Sequence, residues 1–141
     1  MREFKFRAWD KERECWYKPI HEAYKGNLFE LLVGFEGDLF AHTMCGTEHE
    51  SLWPGRFELM QYTGLKDSQG VEIYEGDIVE LYSDEIGSDI PENFKGVVTY
   101  SGSGFHVFSE ESCVGFELWQ EIARWRIIGN IYENQDRIQL D

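Results

Sequence analysis

Glu75-Gly76-Asp77-Ile78-Val79-Glu80-Leu81-Tyr82, followed by Gly96-Val97-Val98-Thr99-Tyr100-Ser101-Gly102-Ser103-Gly104-Phe105-His106-Val107-Phe108, decides the fold of this 141-residue chain. In the first stretch a Gly-Asp turn opens onto a run in which Ile78, Glu80 and Tyr82 alternate with Val79 and Leu81, the two-residue period of a strand. In the second, two runs of β-branched and aromatic residues flank Ser101–Gly104, a tight connection that folds one run back on the other as a hairpin. The acidic segment 83–93, with its Gly and Pro, reads as a loop between the two stretches. Trp125-Arg126-Ile127-Ile128-Gly129-Asn130-Ile131-Tyr132 reads as a last strand. Strand, long loop, hairpin and closing strand together predict a five-stranded SH3-like barrel over residues 61–141.

Upstream the pattern is weaker. Residues Phe4 to Trp9 predict a first strand with one buried face, Phe4, Phe6 and Ala8 pointing one way and Lys5, Arg7 and Trp9 the other. Cys15-Trp16-Tyr17 resumes strand-type residues after a polar turn and predicts a hairpin. Pro19 to Tyr24 fits a helical turn or irregular chain, and Asn27 to Phe35 fits a strand or a short helix. Phe57 to Tyr62 alternates as a strand leading into Gly64. Leu118 to Ile122 reads as one helical turn or a strand. The expected fold is therefore mainly β with minor helix: an N-terminal β-rich part, residues 1–60, that shares a core with or stands beside the barrel part, residues 61–141.

Charge divides the chain at the same place. The formal net charge is -14, from 13 Lys and Arg against 27 Asp and Glu. Residues 1–60 hold 8 basic and 11 acidic residues, and residues 61–141 hold 5 and 16. Such an excess excludes a general binder of polyanions, whose affinity comes from Lys and Arg displacing counterions. Nucleic acid is thus not an expected partner. An aromatic content of 16% argues for a packed core rather than disorder. No run approaches the roughly 18 apolar residues of a membrane span. The N-terminus alternates charge with aromatics, unlike a signal peptide. Three widely spaced cysteines, Cys15, Cys45 and Cys113, do not suggest a disulfide framework. The expectation is a cytoplasmic protein with reduced thiols.

Three stretches carry a resemblance. They are Phe4-Lys5-Phe6-Arg7-Ala8-Trp9-Asp10; Leu59-Met60-Gln61-Tyr62-Thr63-Gly64-Leu65-Lys66-Asp67 through Ile73-Tyr74-Glu75-Gly76-Asp77-Ile78-Val79; and Ile128-Gly129-Asn130-Ile131-Tyr132-Glu133-Asn134. In content and order the chain resembles the YopX-like family of phage and prophage proteins. The resemblance implies a phage- or prophage-encoded cytoplasmic protein, β-rich, with an SH3-like C-terminal part. It implies no activity, so no catalytic residue is carried over.

The motif residues themselves are turn formers. Asp67 and Gly70 bracket a turn in which the carboxylate accepts backbone N–H groups, and Gly76-Asp77 repeats the device. Gly64 is expected to end a strand. Gly129-Asn130 inside a strand suggests a bulge or a close approach of two backbones. Trp9, Tyr62 and Tyr74 fit a groove or, more simply, a core. His42, Cys45 and His49 form the densest metal-ligand group by sequence, without the paired spacing of zinc sites. Glu75 and Asp77 are a carboxylate pair that turn chemistry already explains. No nucleophile–base–orienter set is readable, so no catalytic residue, cofactor or metal site is expected.

A non-enzymatic interaction or structural module is the functional expectation. Its candidate surface comprises the tryptophans Trp53, Trp119 and Trp125 as anchors and the acidic residues Asp84, Glu85, Asp89 and Glu92. The partner is an unidentified protein of host or phage. The alternative is an acidic mimic of DNA, or a regulator, docking on a basic protein. Self-association is a further expectation, since pairing would cover exposed strand edges.

Overall fold

The computed structural model describes residues 3–84, 89–120 and 123–134. Thirteen strands run β1 (Phe6–Asp10), β2 (Cys15–Trp16), β3 (Ile20–Glu22), β4 (Asn27–Val33), β5 (Leu39–Thr43), β6 (Gly46–His49), β7 (Phe57–Lys66), β8 (Glu72–Tyr74), β9 (Asp77–Asp84), β10 (Lys95–Ser101), β11 (Gly104–Ser109), β12 (Val114–Glu117) and β13 (Ala123–Asn130). Helix is confined among the described residues to two 3-10 turns, Ala23–Lys25 and Glu50–Leu52. The fold is β-rich, as the alternation in the sequence requires.

The chain divides into two compact units, one of Met1–Arg7 with Met60–Asp141 and one of Ala8–Leu59. Strands β1 and β7 each pass from one unit to the other. The first seven residues go with the C-terminal unit, which holds the barrel.

In the barrel unit the strand order is β12-β11-β10-β9-β13, all antiparallel. This is a meander of strands whose last member returns beside the first, the order of an SH3-like barrel. Val98 and Val107 face each other across the β10–β11 hairpin, and Gly96 sits opposite Val79 on β9. The inward residues form a core of Ile73, Val79, Ile90, Phe94, Val98, Val107, Leu118, Ala123 and Trp125. Gly96 is glycine because a Cβ there would lie 2.6 Å from the Phe108 carbonyl oxygen. The predicted bulge is present: the β13–β9 register shifts between Ile127 and Gly129, where a Cβ on Gly129 would meet Asn134 at 2.6 Å. Gly64 does not end its strand. It lies inside β7 with φ +88°, at the irregularity between Tyr62 and Lys66.

In the N-terminal unit β3, β4, β5 and β6 form an antiparallel meander, and Trp9–Asp10 of β1 pair with β2 as the predicted hairpin. Asn27–Val33 is strand rather than helix, and Pro19–Tyr24 resolves into β3 and a 3-10 turn. The core is thin: Ala8, Trp9, Leu39 and Ala41. Aromatic edges extend it, with Tyr17, Phe29 and Phe57 in mutual contact at 6.0–6.4 Å.

The first strand does not keep the single buried face that its alternation predicts. Phe4 and Phe6 are 62% and 41% exposed, whereas Ala8, Trp9 and Asp10 are all buried in succession. The expected inward face is not maintained because Asp10 is buried against a guanidinium rather than facing water, a demand that apolar alternation does not encode. The segment Leu118–Gln120 is neither helix nor strand, and residues 121–122 of that reading lie outside the described residues. Strands β5, β6, β8 and β12 carry no strong periodicity in the sequence.

Candidate docking surface

The residues that stand out in the sequence are largely committed to holding the chain. Asp67 Oδ1 accepts the N–H groups of Gln69 and Val71, both at 2.9 Å, and Oδ2 accepts that of Ile127 at 3.1 Å. One carboxylate thus builds its own turn and ties it to β13. Asp77 accepts from the Tyr74 N–H and from Arg7 Nη2, each at 2.8 Å, while Arg7 also donates to the Glu75 carbonyl. Burial pushes the Asp77 carboxyl above its usual range, and Arg7 opposes that rise. Gly76, with φ +84°, leaves room for the Met60 sulfur, which a Cβ would meet at 2.9 Å. Glu75 Oε1 accepts the Gln61 N–H. The Tyr62 and Tyr74 rings pack tilted at 40°, with centroids 5.5 Å apart, and Lys5 and Arg7 cap the two rings. Asn130 Oδ1 accepts from the Tyr132 and Glu133 N–H groups, closing the last turn.

In the N-terminal unit Asp10 does the same work. Arg56 donates to both carboxylate oxygens, at 3.2 and 3.0 Å, and the Glu12 and Arg13 N–H groups donate to Oδ1. Burial raises the Asp10 pKa, but Arg56 and those N–H groups outweigh it and hold the carboxyl below its usual range. The Arg56 guanidinium lies over the rings of Phe57 and Phe29, at 4.9 and 5.5 Å. This knot borders a cleft of about 380 Å³ that also includes Cys15, Trp16 and Tyr17.

The histidines offer little chemistry. The structure does not bring His42, Cys45 and His49 together; the group with ligand-like proximity is Asp38, His49 and Glu50. Within it His49 Nδ1 accepts the Ser51 N–H, so the neutral ring carries its proton on Nε2, which faces Asp38 at 3.2 Å. A metal at Nε2 would displace that proton and require an imidazolate or the loss of the Ser51 bond. Glu50 is also occupied, accepting the Leu39 N–H. His106 Nδ1 stands 3.1 Å from the Gly104 carbonyl, which demands a proton on that nitrogen. It therefore cannot act as a base toward Ser101 Oγ, 3.4 Å away.

The tryptophan anchors separate. Trp125 is buried, its indole N–H donating to the Leu118 carbonyl at 2.9 Å, and it packs on Phe94. It is a core residue, and the expectation that it anchors a partner is corrected. Its place follows from the inward alternation of Ala123, Trp125 and Ile127. Trp53 is half-buried in the N-terminal unit, edge-on to Phe57 at 5.3 Å. Trp119 is 62% exposed.

Of the acidic residues, Asp84 belongs to β9 and Glu85 lies outside the described residues, while Asp89 and Glu92 are exposed. Glu92 borders a groove of about 350 Å³. The groove lies between the segment entering β10, Pro91 to Lys95, and the β11–β12 turn with its flanks, Ser109, Glu111, Ser112 and Val114. Its apolar groups are Pro91, Phe94 and Val114. Glu92 and Glu111 outnumber its one cation, Lys95. Charge in the sequence pointed to Glu92, but nothing local pointed to Phe94 or Val114, which the β10–β11–β12 pairing brings alongside it.

The model of the family described as YopX protein matches residues 5–139. The chain belongs to the YopX family. Two solved structures share the fold. Protein EF1440 from Enterococcus faecalis is 23% identical with a TM-score of 0.55, over 99% of this chain and 100% of that one. Protein yopX from Bacillus subtilis is 22% identical with a TM-score of 0.54, over 96% and 98%. No curated protein matches the chain. In this YopX-family member the three motif stretches supply the turn carboxylates and capped tyrosines described above, and the Glu92 groove lies outside all three.

Proposed function

We propose that this chain is a non-enzymatic protein-interaction module, borne by a phage or prophage and working in the cytoplasm, that docks a basic, apolar-bearing segment of a partner protein in the groove at Glu92 and Glu111. The observation that carries the reading is the groove itself: apolar side chains flanked by a net negative rim, on the half of the molecule with the larger acidic excess. Opposite charge steers such a segment and sets its register, and apolar contact supplies much of the free energy. The groove favours this over whole-surface mimicry of DNA, because an apolar floor has no counterpart in a phosphate backbone. Non-catalytic action is supported by the motif carboxylates, which are bound by backbone N–H groups or by Arg7, and by the tautomers of His49 and His106.

The test is fluorescence anisotropy of a labelled peptide alternating Lys with Leu, against one alternating Lys with Ser. The Lys/Leu peptide binds more tightly, and its affinity falls from low to high salt. The Glu92→Lys, Glu111→Lys double variant loses that binding. Equal binding of the two peptides, or affinity independent of salt, overturns the reading.

A further inference from the structure

The barrel unit carries a second cavity of opposite electrostatic character. A cleft of about 170 Å³ is lined by Lys66, Ser68, Trp119 and Arg124 around an apolar wall. Its apolar wall belongs to the core, with Ile73, Leu118, Ala123 and Trp125 all buried. A cavity of roughly 150 Å³ with apolar walls holds a benzene ring, so this volume suits one ring-sized group.

The polar side is unusual for a chain of net charge -14. Lys66 and Arg124 both line the cleft, both are exposed, and neither makes an ion pair among the described residues. The nearby carboxylate of Asp67 is turned to other work, accepting three backbone N–H groups. Trp119 lines the same cleft and remains 62% exposed, without a ring contact among the described residues. Ser68 also lines it, and its enclosed hydroxyl has no hydrogen-bond partner among the described residues. A χ1 rotation would offer that hydroxyl to an acceptor. Distant parts of the chain are locked together here: the Ser68 N–H donates to the Trp125 carbonyl at 2.8 Å, and the Ile127 N–H to Asp67. The floor of the cleft at Asp67, Ser68 and Trp125 is therefore held before any ligand arrives, which lowers the ordering cost of that part of the site.

We propose that this cleft is a binding site for a small aromatic carboxylate. The ring lies against Trp119 and the apolar wall, and the anion meets Lys66 and Arg124. Aromatic stacking on an exposed indole and charge-assisted hydrogen bonds to two cations are the interactions the lining provides. The site is separate from the Glu92 groove and has no lining residue in common with it.

The test is an NMR titration of the full chain with 3-phenylpropionate and, separately, with its neutral amide. The indole N–H signals of Trp119 and Trp125 are the readout, and the buried Trp125 signal also reports that each variant is folded. The carboxylate shifts both signals and binds about five-fold more tightly than the amide, a gap in keeping with exposed ion pairs. In the Lys66→Ala, Arg124→Ala double variant the gap closes while weak ring binding persists. In Trp119→Ala both compounds weaken. Equal affinity of acid and amide for the unaltered chain, or no movement of either indole signal at saturating probe, overturns the proposal. Loss of peptide binding at the Glu92 groove would leave these signals unchanged, so the two readings fail separately.

Discussion

The Asp10–Arg56 pair of the N-terminal unit and the Arg7–Asp77 pair of the barrel unit expose little carboxylate surface to solvent, 6% and 5% of the side chain. They titrate in opposite directions. The Asp10 carboxyl is held below its usual range, and the Asp77 carboxyl is pushed above it. The difference lies in depth and in donors: more of the fold surrounds Asp77 than Asp10, so burial weighs more heavily on it. Asp10 receives both forks of a guanidinium and the N–H groups of Glu12 and Arg13. Asp77 receives one guanidinium nitrogen and the Tyr74 N–H. Burial penalises both charges, Asp77 the more, and the balance of that penalty against the charge-assisted bonds decides whether the ion is favoured. The two units thus rest on different physics. The barrel closes around aliphatic side chains such as Ile73, Val79, Val98 and Val107, each at most 1% exposed. The N-terminal unit buries less and depends on a charged knot packed between aromatic rings.

Removing the guanidinium from each pair gives the largest contrast. Arg56→Met leaves the Asp10 charge buried without its main partner and is expected to cost about 3 kcal/mol at neutral pH. Arg7→Met is expected to cost less, about 1–2 kcal/mol, because Asp77 can take up a proton instead. Urea unfolding at two pH values checks both. Asp10, with its lowered pKa, contributes stability that is present above the unfolded value of about 4 and lost as pH falls through the folded value. Asp77, with its raised pKa, works the other way: its contribution is present below the unfolded value and lost as pH rises through the folded one. Mild acidification should therefore restore part of the stability of Arg7→Met.

Neutral isosteres sharpen the comparison. Asp10→Asn should destabilise more than Asp77→Asn, by about 1 kcal/mol, since it turns more charge-assisted bonds into neutral or mismatched ones. Calorimetric midpoints of the two variants would show it, and equal loss would mean that donor number is not the controlling difference. A smaller effect belongs to Tyr17, whose hydroxyl oxygen accepts the Leu31 N–H at 2.9 Å. Tyr17→Phe should cost about 0.5–1 kcal/mol, with faster amide exchange at Leu31. The smallest effect is that of a reductant. Cys15, Cys45 and Cys113 are free and exposed, so adding one to the folded protein should leave the unfolding midpoint where it is.

The barrel was the more legible unit for the same reason that it is aliphatic. Val79, Val98 and Val107 sit in runs whose two-residue period is visible, and Gly102 and Gly76 mark the turns between or before them. In β4, Leu28 to Leu31 are all half-buried, so apolar residues face both ways and helix and strand look alike. Phe4 and Phe6 are exposed although an aromatic at a strand position suggests an inward face. Of the candidate docking residues, Glu92 was visible as charge and Trp119 as a bulky aromatic. Trp125 could have been set aside from the alternation of Ala123, Trp125 and Ile127. The grooves themselves were not visible. Phe94 and Val114 line one groove, and Lys66 and Arg124 line the other, only because the fold brings together segments far apart in the chain.

The docking reading is tested most directly by amide chemical-shift mapping with the Lys/Leu peptide. The account predicts shifts at Phe94, Ser109 and Val114 that vanish in the Glu92→Lys, Glu111→Lys variant. Shifts centred on Trp16 and Phe29 of the N-terminal unit, or shifts that survive the charge reversal, would contradict it.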